Sequence, residues 1–158
     1  MLPSEIFKLA VEHLPLFAID LCVINKQKEI LLGRRLNAPA KGFWFVPGGR
    51  VFKNESLDAA FGRVSFSELG VVLEYKNASL LGIYDHFYPD SAVSDTISTH
   101  YINATHVIEL DVKLTKLPCL QHSEYRWFSL KHLVDDDCVH MYSKIFINAL
   151  MDYLKHEK

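Results

Sequence analysis

The pattern of apolar and polar positions in the first half of the chain predicts one helix followed by buried strands. Ser4 to His13 carries apolar residues at helical spacing, and Pro15 follows as a stop. Leu16 to Asn25 is an almost continuous apolar run, interrupted only by Asp20, which is typical of a buried strand. The same pattern then predicts a strand over Glu29 to Arg34, a loop over Leu36 to Gly42 and a short aromatic strand over Phe43 to Val46. A helix is predicted over Ser56 to Leu69, with a stop at Gly70.

In the second half, the pattern predicts three more strands, a polar tip and two helical segments. The strands are expected at Ser79 to His86, His100 to Val112 and Arg126 to Ser129, the polar tip at Tyr88 to Ser98, a helical turn at Leu130 to Leu133 and a closing amphipathic helix at His140 to Leu154. Strands mixed with helices in this order predict an α/β domain with helices packed on both faces of a sheet.

Length, composition and charge narrow the class of protein. A chain of 158 residues with 49% apolar and 23% charged residues predicts a single domain over residues 1–158 with one sizeable core. The formal net charge of −2 and the lack of a basic stripe argue against a nucleic-acid partner. No apolar run approaches the ~20 residues that span a bilayer, and the amino terminus lacks a secretory pattern. Three cysteines without metal-ligand spacing fit a reduced, cytoplasmic setting.

Candidate chemistry lies in a glycine-rich turn that leads directly into a helix. Gly48 and Gly49 free the backbone to approach a ligand, and the carbonyls of such a turn can face a cation. Glu55 precedes the helix and Glu68 lies thirteen residues later, on its last turn. Acidic groups there can form part of an oxygen-rich magnesium site that diphosphate oxygens complete.

This segment resembles the signature of the Nudix hydrolases, in which a glycine, a glutamate, an arginine, a second group of glutamates, a glycine and an apolar residue follow at fixed spacings. The matching positions are Gly49, Glu55, Arg63, Glu68, Gly70 and Val71. The resemblance implies the Nudix fold, a mixed β-sheet sandwiched between α-helices. An ordinary loop followed by a helix is the alternative interpretation of the same residues.

Two positions depart from the Nudix signature. Val64 stands where the family usually has a glutamate after the arginine, and Ser67 replaces the first glutamate of the later pair. Positions 64 and 68 share one helix face, so the usual pair of carboxylates on that face is reduced to Glu68. A single helix carboxylate is poorly suited to holding two or three magnesium ions, which disfavours the ordinary Nudix attack of water on phosphorus.

Further segments resemble the GDP-mannose mannosyl hydrolases, a branch of the Nudix hydrolases, over almost the whole chain. They are Asn37 to Arg50, Asp85 to Tyr88, Thr99 to Tyr101 and Gln121 to Trp127. The Nudix signature with fewer carboxylates is itself a mark of that branch. The resemblance implies hydrolysis at the anomeric carbon of the sugar, which releases GDP and the inverted free sugar. It also implies a homodimer.

The resemblance assigns a metal site and a base. The backbone carbonyl of Gly48, the Glu68 carboxylate and the Gln121 amide match ligands of one Mg²⁺ per subunit, for which Mn²⁺ can substitute. His122 matches the general base, and an imidazole can accept a proton near neutral pH. We expect His122 in a loop before the Arg126 to Ser129 strand, from which it reaches over the sheet edge.

The resemblance also assigns the charged groups that face the substrate. Arg35 and Arg50 match the arginines at the diphosphate, with Arg34 as the adjacent alternative, because guanidinium pairs phosphate oxygens through two donors. Asp20 matches an aspartate that faces the sugar, where a fixed negative charge stabilises an oxocarbenium ion. Its position in an apolar strand supports a function, since burying an unpaired carboxylate is costly.

Four further residues receive assignments. His86 and Tyr101 match contacts to the sugar and phosphate in the family, and Phe7, on the first helix, is a candidate for stacking on guanine. A plain core or sheet-face role stays open for each of these three residues. Arg63 is expected to orient a glutamate such as Glu55 rather than to touch the substrate.

The sequence therefore predicts magnesium-dependent hydrolysis of GDP-mannose to GDP and mannose by inverting attack at the anomeric carbon. GDP-fucose or GDP-glucose remain open as substrates. One alternative is a Nudix pyrophosphohydrolase that cleaves a nucleotide sugar or nucleotide at phosphorus. The other is a non-catalytic Nudix module that only binds a nucleotide sugar.

Overall fold

The structure is a computed structural model, and it describes residues 3–94 and 96–156. Residue 95, inside the predicted polar tip, and residues 1, 2, 157 and 158 of the predicted domain lie outside the described residues. In the described part, the strands are β1 (Leu16–Ile24), β2 (Glu29–Arg35), β3 (Trp44–Phe45), β4 (Gly48–Arg50), β5 (Ser79–Tyr88), β6 (Thr99–Glu109) and β7 (His122–Ser129). The α-helices are α1 (Ser4–His13), α2 (Leu57–Leu69), α3 (Leu130–Asp135) and α4 (Ile147–His156).

The strands form one mixed sheet in the order β3-β2-β1-β6-β5. β1 runs parallel to β6 and antiparallel to β2, and β7 pairs with the other edge of β2. The pairing of β2 with β1 is registered at Ile30 and Ile24, whereas β4 pairs with the earlier residues 18–20 of β1. β4 therefore takes the place of β2 beside the first half of β1, and the glycine-rich turn comes to lie against the centre of the sheet.

Both faces of β1 are buried, as its continuous apolar run predicts. Ile19, Leu21 and Val23 pack on one face in a cluster that includes Phe61 and Val64 of α2. On the other face, Cys22 and Ile24 belong to a cluster that also contains Leu133 of α3, Ile147 and Leu150 of α4, and Phe146 directly before α4. The sheet therefore lies between helices, and the predicted α/β sandwich is confirmed.

Helix α2 begins and ends where the sequence predicts. Ser56 caps it, because its side-chain oxygen accepts a hydrogen bond from the Ala59 amide at 3.2 Å. Gly70 ends it with φ of 73°, a left-handed conformation that glycine adopts without steric cost. These two ends fix which residues of α2 face the sheet. Among the described residues, no helix is long and apolar enough to cross a membrane.

The predicted closing helix, His140 to Leu154, is wrong in its first part. The chain forms a short 3-10 turn at Met141–Ser143, and α4 starts only at Ile147. Ser143 is fully buried and its hydroxyl accepts a hydrogen bond from the Val46 amide at 3.1 Å. The Tyr142 hydroxyl in turn donates to the Phe87 carbonyl at 2.9 Å. These long-range contacts with the strands determine the conformation, and local helical periodicity does not reveal them.

Candidate active site

A cavity of about 360 Å³ opens where β1, β2, β4, β5 and β6 meet. Most of the residues that the sequence singled out lie on its wall: Phe7, Asp20, Arg35, Gly48, Arg50, His86, Tyr101 and Gln121. Glu68 and His122 are not on the wall but are buried beside Gln121. The fold thus gathers residues that are up to 115 positions apart between Phe7 and His122.

Two arginines give the cavity its positive charge. Arg35 donates from Nε to the Pro39 carbonyl at 2.8 Å, and the Arg50 guanidinium lies 4.0 Å from the centre of the Phe7 ring. Within residues 3–94 and 96–156, neither guanidinium forms a salt bridge, so both keep donors for an anion. Arg34, the alternative, is exposed and lies 3.4 Å from the Glu124 carboxylate. The structure therefore favours Arg35 over Arg34 as a cavity residue.

Asp20 is a buried carboxylate on the floor of the cavity. Burial raises its pKa to about 7; a hydrogen bond from Asn103 and the charge of Arg35 act in the opposite direction, and Glu68 adds to the increase. In the β1–β4 pair Asp20 lies opposite Gly48, where a Cβ atom would overlap its Oδ1. Glycine at 48 is therefore needed for the carboxylate and the turn to share this space.

Glu68, Gln121 and His122 form a buried cluster beside the cavity. Gln121 donates from Nε2 to Glu68 Oε1 at 2.8 Å. His122 Nδ1 lies 3.3 Å from Glu68 Oε2 and 3.2 Å from the Tyr125 hydroxyl, which donates to the Pro118 carbonyl at 2.9 Å. Among the described residues, Glu68 Oε2 and His122 Nε2 are buried without a hydrogen-bond partner. The cluster thus keeps one carboxylate oxygen and one imidazole nitrogen without a hydrogen bond.

The predicted loop position of His122 is wrong. His122 is the first residue of β7, pairs with Arg35 of β2 and is 1% exposed. Its ring fills the space over Gly33, where a Cβ atom would lie 2.5 Å from His122 Cγ. The strand starts early because Gly33 has no side chain to exclude the imidazole. The β2–β7 register is irregular between Gly33 and Arg35, at the end where His122 lies.

The three predicted metal ligands fit a hard cation by donor type. A carboxylate, an amide oxygen and a peptide carbonyl are ligands that Mg²⁺ accepts. The observation that supports the fit is Glu68 Oε2, because a buried carboxylate oxygen without a donor lacks the partner that a cation would be. In the described part of the chain, no group of three or more His, Cys, Asp or Glu residues is arranged to hold a metal, so the amide and carbonyl would be essential.

Arg63 orients Glu55, as predicted. Its Nε and Nη2 contact the two Glu55 carboxylate oxygens at 2.6 Å and 2.8 Å, and Nη2 also donates to the Arg50 carbonyl at 2.7 Å. Glu55 accepts a further hydrogen bond from the Phe52 amide at 2.9 Å. The pair thereby ties α2 to the turn that carries Arg50. The pair supports the cavity wall. Both oxygens of the Glu55 carboxylate already accept hydrogen bonds within the protein.

His86 is a neutral group on the cavity wall. Burial lowers its pKa to about 4, and its ring stacks on Tyr142 with centroids 4.2 Å apart and planes 3° apart. Among the described residues, His86 Nε2 has no hydrogen-bond partner. His86 is therefore held rigidly, with one nitrogen left for a ligand.

Comparison with known proteins identifies the family of this chain. The NUDIX domain profile matches residues 15–148. The chain belongs to the Nudix family. This Nudix chain is 38% identical over 149 residues to the low-salt glycan biosynthesis protein Agl8 of Haloferax volcanii, covering 94% of this chain and 90% of that protein. It is 40% identical over 70 residues to an ADP-ribose pyrophosphatase of Methanocaldococcus jannaschii, which is 44% of this chain and 40% of that protein.

Solved Nudix structures share the fold. A MutT protein from Methanosarcina mazei superposes with a TM-score of 0.68 at 23% identity, covering 89% of this chain and 96% of that one. The NUDIX domain of Shewanella oneidensis NrtR, solved with ADP ribose, gives a TM-score of 0.66 at 18% identity, covering 89% and 88%. At these identities the similarity shows the fold alone.

The sequence did not indicate Asn103, which lies on the cavity floor of this Nudix domain. Asn103 is 4% exposed and lies in β6, opposite Ala18 of β1. The available signal was the one that marked Asp20, a polar residue inside an apolar strand. β4 also went unpredicted, because Gly48–Arg50 has no strand-like pattern and pairs only through its contact with β1.

We expect Asp20→Asn to change the pH dependence of stability. Because the folded pKa of Asp20 is raised from 3.8 to about 7, the folded state retains a proton that the unfolded state has lost, and Asp20 lowers the free energy of unfolding as pH rises through this range. The slope is about 1.4 kcal/mol per pH unit. His86, with its lowered pKa, contributes the opposite slope below its ordinary pKa of 6.5.

The measurement is the difference in unfolding free energy between Asp20→Asn and the unmodified protein, by urea denaturation with EDTA present. The His86 contribution cancels in this difference. The variant should gain about 2 kcal/mol relative to the unmodified protein between about pH 5 and about pH 7.5. A difference that stays constant with pH would contradict the raised pKa.

Proposed function

We propose that this Nudix protein hydrolyses a GDP-sugar, GDP-mannose foremost, to GDP and free sugar through inverting attack of water at the anomeric carbon. The observation that carries the proposal is the carboxylate set of α2. Val64 is 1% exposed within the apolar core, and Ser67 is exposed, so Glu68 is the acidic side chain that α2 presents beside Gln121. The relative named as a glycan biosynthesis protein also supports a sugar nucleotide as substrate.

Val64 fills the place of a second carboxylate with hydrocarbon. Its Cγ2 would be 3.0 Å from a Cβ atom on Gly49, so it packs directly beneath the glycine-rich turn. A site without that second carboxylate has too little negative charge to hold several cations around an attacking hydroxide. Attack at phosphorus is therefore disfavoured, and attack at the sugar carbon, where GDP is the leaving group, is favoured.

Glu68, Gln121 and the Gly48 carbonyl would hold one Mg²⁺ per subunit, or Mn²⁺ in its place, and a bound cation would neutralise charge on the diphosphate. Arg35 and Arg50 assist by donating hydrogen bonds to phosphate oxygens, because both guanidinium groups on the cavity wall lack carboxylate partners among the described residues. Together these groups stabilise the negative charge that grows on departing GDP.

Asp20 and His122 act on the other two partners of the reaction. Above its raised pKa of about 7, the Asp20 carboxylate on the cavity floor is ionised and stabilises positive charge on the sugar ring. His122 accepts the proton of the attacking water through Nε2, which has no partner among the described residues. For this step its buried imidazole must turn from the recess over Gly33 into the cavity.

Pyrophosphohydrolase activity is the second candidate. The local similarity to an ADP-ribose pyrophosphatase supports it, since that similarity covers 44% of this chain. In that reaction water attacks phosphorus and the nucleoside monophosphate is released. The two candidates differ in the bond that breaks, so an isotope label separates them.

Hydrolysis of GDP-mannose in oxygen-18 water identifies the atom attacked. We expect the label in mannose, unlabelled intact GDP, and initial formation of the β-sugar from the α-linked substrate. Mass spectrometry locates the label, and proton and phosphorus NMR identify the anomer and the nucleotide. Label in GMP or mannose 1-phosphate would instead establish the pyrophosphohydrolase.

A His122→Leu variant tests the base. It should bind GDP as the unmodified protein does but lose roughly 10²–10⁴-fold in turnover, which is the usual contribution of a general base. Leucine can fill much of the space that the imidazole occupies over Gly33, so folding should be retained. His132→Leu, at an exposed histidine on α3, is the matched control and should keep full turnover. Turnover of the His122 variant within threefold of the control would exclude His122 as the base.

A further inference from the structure

The floor of the cavity carries hydrogen-bond acceptors without donors. Asp20 Oδ2 and Asn103 Oδ1 are both buried without a hydrogen-bond partner among the described residues, and both residues line the cavity. A buried acceptor left without a donor lowers the stability of the folded state. Because both residues line a cavity rather than lying in the apolar core, a ligand bound there can supply the missing donors.

The orientation of the Asn103 amide follows from its neighbour. Its side chain forms a hydrogen bond with Asp20, whereas Asn103 Oδ1 has no hydrogen-bond partner among the described residues. The NH₂ group must therefore point toward Asp20, which leaves Oδ1 as the atom available to a ligand. Asn103 thus offers the cavity an acceptor and not a donor.

Acceptors and donors occupy different strands of the cavity wall. Arg50 of β4 and Asn103 of β6 both lie opposite Ala18 of β1, so the three residues form one row across the sheet. β4 and β6 are two strand spacings apart, about 9.6 Å. Phosphate oxygens, which bring no donors and carry negative charge, suit the arginine side. Sugar hydroxyls, which bring donors, suit the side of Asp20 and Asn103.

We propose that Asn103 is a specificity-determining residue that accepts a hydrogen bond from a sugar hydroxyl and, with Asp20, selects a nucleoside diphosphate that carries a hydroxylated sugar over the nucleoside diphosphate alone. The inference rests on the proposed function in taking a nucleotide sugar as ligand. It fixes the orientation of that ligand, with the sugar over β6 and the diphosphate toward β4. Its test uses binding, so it remains valid if the protein cleaves a different bond.

The test compares GDP-mannose with GDP as ligands of the unmodified protein and of Asn103→Leu, by calorimetry with EDTA present. Leucine has nearly the size of asparagine but no acceptor. We expect Asn103→Leu to weaken GDP-mannose binding at least tenfold and to leave GDP binding within twofold. Asn103→Ser, a smaller change, should act in the same direction and serves if the leucine variant does not fold.

Two results would overturn the proposal: equal weakening of both ligands, or unchanged binding of GDP-mannose. A measurement on the unmodified protein adds an independent check. With ¹⁵N-asparagine labelling, one side-chain NH₂ signal should shift when GDP-mannose binds and not when GDP binds, and absence of such a signal contradicts the proposal. A separate turnover assay with Mg²⁺ tests the proposed function, so failure of hydrolysis is distinguished from failure of sugar selection.

Discussion

The burial of Glu68 between α2 and the sheet is the constraint on which the site depends. Its carboxylate is 2% exposed and is approached by Gln121 through one oxygen and by His122 near the other. Glu68 Oε2 has no hydrogen-bond partner among the described residues, with His122 Nδ1 3.3 Å away, and a cation bound there would supply one. The caps at Ser56 and Gly70 hold Glu68 at this depth, because they fix the ends of α2.

Neighbouring charges extend this constraint to the rest of the cavity. Burial, with a smaller contribution from Glu68, raises the pKa of Asp20, while the Asn103 hydrogen bond and the charge of Arg35 lower it. The cavity therefore combines an acidic floor with arginine donors on adjacent strands, which suits a ligand that is anionic at one end and hydroxylated at the other. Apolar Val64 beneath the turn limits how much negative charge α2 can add, and this limit is the basis for proposing attack at the sugar carbon.

Local sequence patterns predicted those features that local physics determines. Capping chemistry located α2, the apolar run located β1, and the family resemblance outside the Nudix signature selected most of the residues that the fold brings to one cavity. The errors arose from contacts between distant segments. Gly33 admits the His122 ring and so extends β7, the Ser143–Val46 hydrogen bond interrupts the closing helix, and Asn103 acquires a possible role only through its position beside Asp20. None of these contacts leaves a periodic signal along the chain.

The most direct test of the account is the number and location of cation sites, measured by titration with Mn²⁺ and electron spin resonance in the presence of GDP. One Mn²⁺ should bind per chain, Glu68→Gln should abolish or strongly weaken this binding, and Glu55→Gln should retain it because Arg63 already holds the Glu55 carboxylate. Two or more Mn²⁺ ions per chain, or unchanged binding in Glu68→Gln, would contradict a site built on a single helix carboxylate.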